Sequence, residues 1–319
     1  MLAGVRNLGL DDPPPVVHIY LAISPTGARP SLANHAEQVR LGRRARCQTV
    51  LMVTTSSADG TEVRAVDEGQ GPVILILHPG SDDGRSWGKV AALLARRFRV
   101  VRLHRRQYRL DIAGAPVTIG QEVDDVLAVV KVTGNPVVLV GHSSGGVVAL
   151  EALVSSRSSF AGAVLYEPPV VIGPPLGGEA LTQAKAALVA GRPGKAIEIF
   201  SRDIVGVSPL WSWLGRTIVA VVPRWRRLVP RQLDDAGAID QLGVRLDAYA
   251  GIDVPTVLLG GDRSPRGLAE RLDALEHVMP YAERVVLHRQ GHTAQVRAPK
   301  KVAHLIEAHA DNVMASPAR

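Results

Sequence analysis

The chain reads as an α/β protein: a mostly parallel, doubly wound sheet with helices on both faces, interrupted by an all-helical insertion after the sixth strand. Three observations predict this. Short β-branched apolar runs alternate with amphipathic segments from about residue 49 to residue 170, and again after residue 246. Between residues 171 and 245 that rhythm stops and only helical periodicity remains. Finally, Val137 to Val140 runs through Gly141-His142-Ser143-Ser144-Gly145 into Val147-Val148-Ala149-Leu150, which is strand, sharp turn and helix in fourteen consecutive residues.

The elements follow in order. Residues 1–48 hold Pro13-Pro14-Pro15 and an arginine cluster (Arg40, Arg43, Arg44, Arg46) without periodicity. They are expected to be a disordered, dispensable extension, or sequence upstream of a start at Met52. Val50 to Thr54 and Thr61 to Asp67 read as strands joined around the turn pair Asp59-Gly60. Val73 to Leu77 is apolar throughout, as in a strand buried on both faces. A helix over Ser86 to Arg96 and a strand over Arg99 to Leu103 come next. Thr118-Ile119-Gly120-Gln121 has the form of a capping box, opening a helix with Val123, Val126, Leu127 and Val130 on one face.

The strand at Val137 and its helix to about Val154 are followed by a strand at Ala163 to Tyr166, ending in Glu167-Pro168-Pro169. The insertion carries amphipathic stretches over Glu179 to Ala190 and Gly194 to Ile204, with Trp211 and Trp213 assigned to its core. Pro255-Thr256-Val257-Leu258-Leu259 resumes the sheet. A helix over Leu268 to Met279, a last strand over Arg284 to His288 and a closing helix over Val302 to Ala310 complete it. The core is thus 49–170 plus 246–319, and the insertion is 171–245.

Composition narrows the function classes. A chain of 319 residues with 46% hydrophobic and 21% charged residues buries a sizeable core. The net charge of +7 is scattered, and with 4% aromatics there is no platform for stacking bases, so nucleic acid is not an expected partner. The single cysteine, Cys47, excludes an internal disulfide and a cysteine-based metal site. No apolar run is long enough for a membrane span or has the form of a signal peptide. A cytoplasmic protein with a small-molecule partner, and with neither metal nor organic cofactor, is expected; oligomeric state is not legible.

The turn at Ser143 carries the chemistry. Gly141-His142-Ser143-Ser144-Gly145 fits the G-x-S-x-G nucleophile elbow, in which glycines two before and two after the serine give room for a strained turn. The helix that follows points its amide dipoles at the serine oxygen. Two later strand ends bring Gly260-Gly261-Asp262 and Gly291-His292. In a parallel sheet such ends gather on one edge.

From residue 49 onward the chain resembles an α/β-hydrolase with a helical cap, of the esterase, haloperoxidase-like and C–C-bond-hydrolase branch. The matching pieces are Ile74 to Gly80, Gly84-Arg85-Ser86-Trp87, Gly141 to Gly146, Tyr166 to Pro169, Gly260-Gly261-Asp262 and Gly291-His292. The resemblance implies Ser143 as nucleophile, His292 as general base, Asp262 as the acid that orients it, and an oxyanion hole from the backbone N–H groups of Gly80 and Ser144. Glu167, after the preceding strand, is the alternative acid. The competing histidine, His288, is expected to lie within the last strand and pack.

The chain departs from the family at three places, the first being the acid loop Gly260-Gly261-Asp262-Arg263-Ser264-Pro265, shorter than the usual G-x-x-D-x-x-x-P. Pro79 stands where a glycine is usual, and His104-Arg105-Arg106-Gln107-Tyr108-Arg109 replaces a turn bearing aspartate and glycine. That arginine cluster is expected to be a solvated loop. The implied activity is hydrolysis of a carboxylic ester, or a related acyl bond, of a small and largely apolar molecule. Haloperoxidase-like, C–C-cleaving or cofactor-free oxygenase chemistry is the alternative enzyme reading, and a non-enzymatic ligand-binding protein the alternative of a different class.

Overall fold

The computed structural model describes residues 50–112, 116–134 and 136–315. The expected N-terminal extension, with Cys47, lies outside the described residues.

Eight strands form one sheet: β1 (Val50–Ser56), β2 (Glu62–Gly69), β3 (Val73–Leu77), β4 (Arg99–Leu103), β5 (Val137–His142), β6 (Phe160–Tyr166), β7 (Thr256–Gly261) and β8 (Ala282–Leu287). Their order is β1-β2-β4-β3-β5-β6-β7-β8. β2 runs antiparallel to both its neighbours, and every other pairing is parallel. β3 and β5 are buried along their whole length, as continuous apolar runs require in the middle of a doubly covered sheet.

Between β3 and β6 the helices are α1 (Gly88–Leu94), α2 (Ile119–Thr133) and α3 (Ser144–Ser155). α2 begins with the predicted capping box: Thr118 accepts from Gln121 N–H and the Gln121 side chain accepts from Thr118 N–H. The segment between β6 and β7 is helical, as predicted: α4 (Gly178–Val189), α5 (Pro193–Ile199), α6 (Pro209–Val221), α7 (Pro223–Leu242) and α8 (Leu246–Ala250). A π-turn over Phe200–Ile204 prolongs α5. α9 (Arg266–Val278), α10 (Ala294–Arg297) and α11 (Pro299–Ala315) complete the chain.

Two apolar clusters cover the two faces of the sheet, one including Leu75, Leu139, Val148 and Leu165, the other Ile74, Trp87, Val140 and Ile306. Alternate residues of β3 and β5 divide between them, which is the pleat of a strand buried on both sides. The cap has its own core around Leu181, Ala196, Val219 and Leu233. The two predicted core tryptophans are not in it. Trp211 lines a cavity beneath the cap, and Trp213 is 53% exposed.

Candidate active site

The parallel strands deliver their C-terminal ends to one edge, and the chemistry-bearing loops meet there. β5 ends at His142, and Ser143 follows with φ 53° and ψ −128°, a conformation that L side chains rarely adopt. Its N–H donates to the carbonyl of Tyr166 on the neighbouring strand, 2.8 Å, and its own carbonyl accepts from Gly146 N–H, 2.7 Å. The glycines two residues away are forced by close approach. A Cβ on Gly145 would lie 2.5 Å from the His78 carbonyl oxygen, and one on Gly141 would lie 2.6 Å from the Ala149 Cβ.

Four non-glycine residues have positive φ among the described residues: Ser81, Ser143, Glu167 and Arg289. Ser81, Ser143 and Arg289 line one cavity of about 600 Å³ between sheet edge and cap, and Glu167 stands behind its His292 wall. Backbone strain concentrates where side chains must be aimed rather than packed.

His292 also lines the cavity, on the loop after β8. Its Nδ1 lies 2.5 Å from Oε2 of Glu167, whose side chain is 1% exposed. The other oxygen of Glu167 accepts from Gly261 N–H at the end of β7, 2.8 Å. The carboxylate is therefore held at both oxygens, with the imidazole fixed on one of them. Nδ1 faces an acceptor and carries the proton in that pairing, which makes Nε2 the basic nitrogen.

The expectation for Asp262 is corrected by this geometry. Asp262 does not approach His292; its Oδ2 pairs with Nδ1 of His288 at 2.7 Å, on a histidine whose side chain is 84% exposed. The Arg289 backbone N–H and then His288 hold the Asp262 carboxyl below its usual range. β8 ends at Leu287, so His288 projects from the loop instead of packing within the strand. The reason is one of reach. Glu167, itself turned by its positive φ, already fills the space behind His292, and the Gly261 N–H anchors it there.

The loop carrying His292 is pinned from below. His142 stacks on Tyr166 at 4.4 Å and 10°, and meets the His292 ring edge-on at 4.8 Å. Its Nε2–H donates to the His292 carbonyl, 3.0 Å. The Tyr166 hydroxyl donates to the Gly291 carbonyl and accepts from Ala294 N–H. Burial holds the imidazole of His142 neutral, well below its ordinary value.

On the other side of Ser143 the turn after β3 carries His78, Pro79, Gly80 and Ser81. His78 is fully buried; its Nδ1–H donates to the Pro79 carbonyl, 2.8 Å, and its Nε2 accepts from Arg105 N–H, 3.1 Å. Burial, then the neighbouring Arg105 charge, pushes its pKa down to about 3. Fixing the Pro79 carbonyl orients the next peptide plane, since N–H and C=O point oppositely across a trans bond. The N–H of Gly80 is thereby set on the side away from His78.

The second correction concerns the arginines. The expected solvated loop is buried: the side chain of Arg105 is 0% exposed, and those of Arg106 and Arg109 are nearly so. Arg105 grips both oxygens of Glu122 on α2 at 3.0 and 2.6 Å and reaches Asp235 on α7 at 3.1 Å. It also donates to the His78 carbonyl and to Oγ of Ser144, 2.7 Å. Ser144 is thus occupied as an acceptor, and its neighbour Ser143 is the serine presented at the elbow. Tyr108 donates to Asp235 and Ser81 to Gln232 of α7, so the cap helix is tied to both loops flanking Ser143.

Among the described residues no cluster of histidine, cysteine, aspartate and glutamate could hold a metal, and no helix is long and apolar enough to cross a membrane. The site has the residue geometry of a serine-based hydrolase.

Comparison with known proteins agrees with it. Residues 74–305 match the family model described as the alpha/beta hydrolase family. Among solved structures, an alpha/beta hydrolase from Sphaerobacter thermophilus is similar at 26% identity, with a TM-score of 0.69, over 80% of this chain and 99% of that one. An esterase from Thermogutta terrifontis is similar at 19% identity, TM-score 0.63, over 83% and 99% of the two chains. An N-acyl homoserine lactone degrading enzyme, Est816, stands at 22% and 0.62 over 79% and 98%. No curated protein sequence matches the chain.

Proposed function

The chain belongs to the alpha/beta hydrolase family, and on that premise we propose that it hydrolyses a carboxylic ester or related acyl bond of a small molecule, with Ser143 as nucleophile, His292 as base and Glu167 as the acid. One observation carries this reading: the 2.5 Å contact between His292 Nδ1 and the buried Glu167, beside a serine held at positive φ.

In this mechanism the Ser143 hydroxyl attacks the acyl carbonyl while Nε2 of His292 takes its proton. Glu167 stabilises the imidazolium without itself becoming protonated. The oxyanion is received by the N–H of Ser144, at the start of α3, and by that of Gly80. Losing one such donor typically costs about 3–4 kcal/mol of transition-state stabilisation. His292 passes the proton to the leaving alcohol, whose departure leaves an ester on Ser143. Water, deprotonated by the same imidazole, then releases the acid and restores the serine. Neither metal nor organic cofactor enters this sequence. The lone cysteine supports a cytoplasmic location.

The test is labelling with a fluorophosphonate and peptide mapping, alongside p-nitrophenyl esters of graded acyl length. Label on Ser143 together with turnover is expected, and Ser143→Ala abolishes both. Label without turnover of any ester turns the reading into one of ligand binding.

A further inference from the structure

The cavity beneath the cap has two unlike walls. The cap side offers apolar side chains such as Phe200, Ile204, Trp211, Val219 and Val229. The side built by the loops after β7 and β8 and by helices α9 and α10 offers four arginines: Arg263, Arg271, Arg289 and Arg297. Every carboxylate that lines the cavity already has a partner. Asp235 is bound by Arg105, Asp83 by Arg224 and Arg85, and Asp82 accepts from the Ser86 hydroxyl at 2.6 Å.

Arg271 is the informative one. It stands half-buried in the wall, one turn into α9, and forms no ion pair among the described residues. Its Nη1 donates to the Gly267 carbonyl of its own helix, while its buried Nε has no hydrogen-bond partner among the described residues. Glu270 and Asp240 act on it only through space, and desolvation outweighs them, lowering its pKa. Arg99 and Arg102, half-buried in the core as well, are held by Asp67 and Glu68. A guanidinium withdrawn from water without a counter-ion is costly. It becomes favourable when an anion completes it, and the side open to the cavity is where that anion would come from.

We propose that the substrate of the reaction above carries an anionic group, carboxylate or phosphate, remote from its scissile carbonyl, and that Arg271 binds it, with Arg289 and Arg297 at the cavity rim drawing it in. The apolar cap wall accommodates the chain between anion and carbonyl. This rests on the hydrolase reading and specifies its substrate class.

Matched ester pairs test it. Mono-p-nitrophenyl esters of dicarboxylic acids from four to ten carbons are compared with p-nitrophenyl esters of monocarboxylic acids of equal length, which puts the anion on the acyl side. The butyrate ester of 6-hydroxyhexanoate, its phosphate counterpart and hexyl butyrate put it on the alcohol side and separate carboxylate from phosphate. A charged hydrogen bond of this kind predicts a kcat/KM ratio, anionic over neutral, of about 10- to 100-fold for the best-matched length. The length at which the ratio peaks measures the span from Ser143 to Arg271. In Arg271→Gln the ratio falls towards one, in Arg271→Lys it is partly kept, and in wild type it declines with added salt. Because each ratio is taken within one variant, a general loss of activity or folding cancels.

A wild-type ratio at or below one on both sides overturns the proposal, and a ratio unmoved by Arg271→Gln overturns the assignment to that residue. Should no ester be hydrolysed, the hydrolase reading has failed rather than this one. The same pairs are then titrated against Ser143→Ala through the fluorescence of Trp211 and Trp225, which line the cavity. Tighter binding of the anionic member supports the site, and equal binding removes it.

Discussion

Two carboxylate–imidazole pairs stand at the ends of the neighbouring strands β6 and β7. Glu167 and His292 meet at 2.5 Å with the carboxylate buried, while Asp262 and His288 meet at 2.7 Å at the surface. Their chemistry is the same and their distances nearly so. What separates them is environment. Glu167 has a second anchor in the Gly261 N–H, and its imidazole is wedged against His142 and opens onto the cavity. The Asp262 pair is wetted by solvent, which screens it and lets both side chains move. A carboxylate can orient an imidazole only where the geometry of the pair is enforced, and enforcement comes from packing.

The sharpest way to break the comparison is to neutralise each acid in turn. Glu167→Gln should lower kcat on p-nitrophenyl esters by about 10³–10⁴, as removing the orienting carboxylate of such a triad does, whereas Asp262→Asn should change it by less than about twofold. A larger loss in the second variant would move the acid back to β7.

The contrast between buried and exposed pairing extends to stability. Arg105→Met strands Glu122 and Asp235 without their cation and should cost about 3–5 kcal/mol in urea unfolding. Arg266→Gln removes a solvent-exposed partner of Glu270 on α9 and should cost less than about 0.5 kcal/mol. Comparable losses would mean that the cap–core network is looser than its geometry.

Acid sharpens the same distinction among histidines. His78 is buried neutral, with its folded pKa lowered to about 3 from an ordinary value near 6.5. Below about 6.5 the unfolded chain binds a proton there that the folded chain refuses, so this contribution to stability falls with pH until about 3. Each pH unit in that window corresponds to about 1.4 kcal/mol. His142 acts in the same direction. The share owed to His78 is the difference in pH slope between wild type and His78→Asn, measured by urea unfolding from pH 7 to 4.5; an unchanged slope removes it. The smallest effect is expected for His288→Ala: no measurable change in kcat/KM or in Tm.

Much of this was legible in the chain. The capping box at Thr118, the apolar strands, the elbow at Ser143 and the helical character of residues 171–245 are local patterns, set by periodicity and sterics within a few residues. The bounds of the longest cap helix are not legible in the same way. α7 contains Pro230, which locally argues against a helix interior, although Pro223 at its first turn suits a helix start. Its helicity is repaid by tertiary contacts: Asp235 on Arg105, Gln232 on Ser81, and Leu233 in the cap core. Arginines 105, 106 and 109 were misread for a related reason. Charge density predicts solvent when partners are unknown, and apart from Asp111 beside Arg109 theirs come from α2, α7 and the β1–β2 region, far away in sequence.

By itself, the sequence determined the alternation of strands and helices, the place of the helical insertion and the sharp turn at Ser143, because each depends on residues that are neighbours along the chain. Which carboxylate meets His292, which arginines are buried and which half-buried arginine lines the cavity with no ion pair among the described residues were decided only by the folded sheet. Those are questions of distance between strand ends, and in a sheet ordered β3-β5-β6-β7-β8 residues 167, 261 and 292 become neighbours only after the strands have paired.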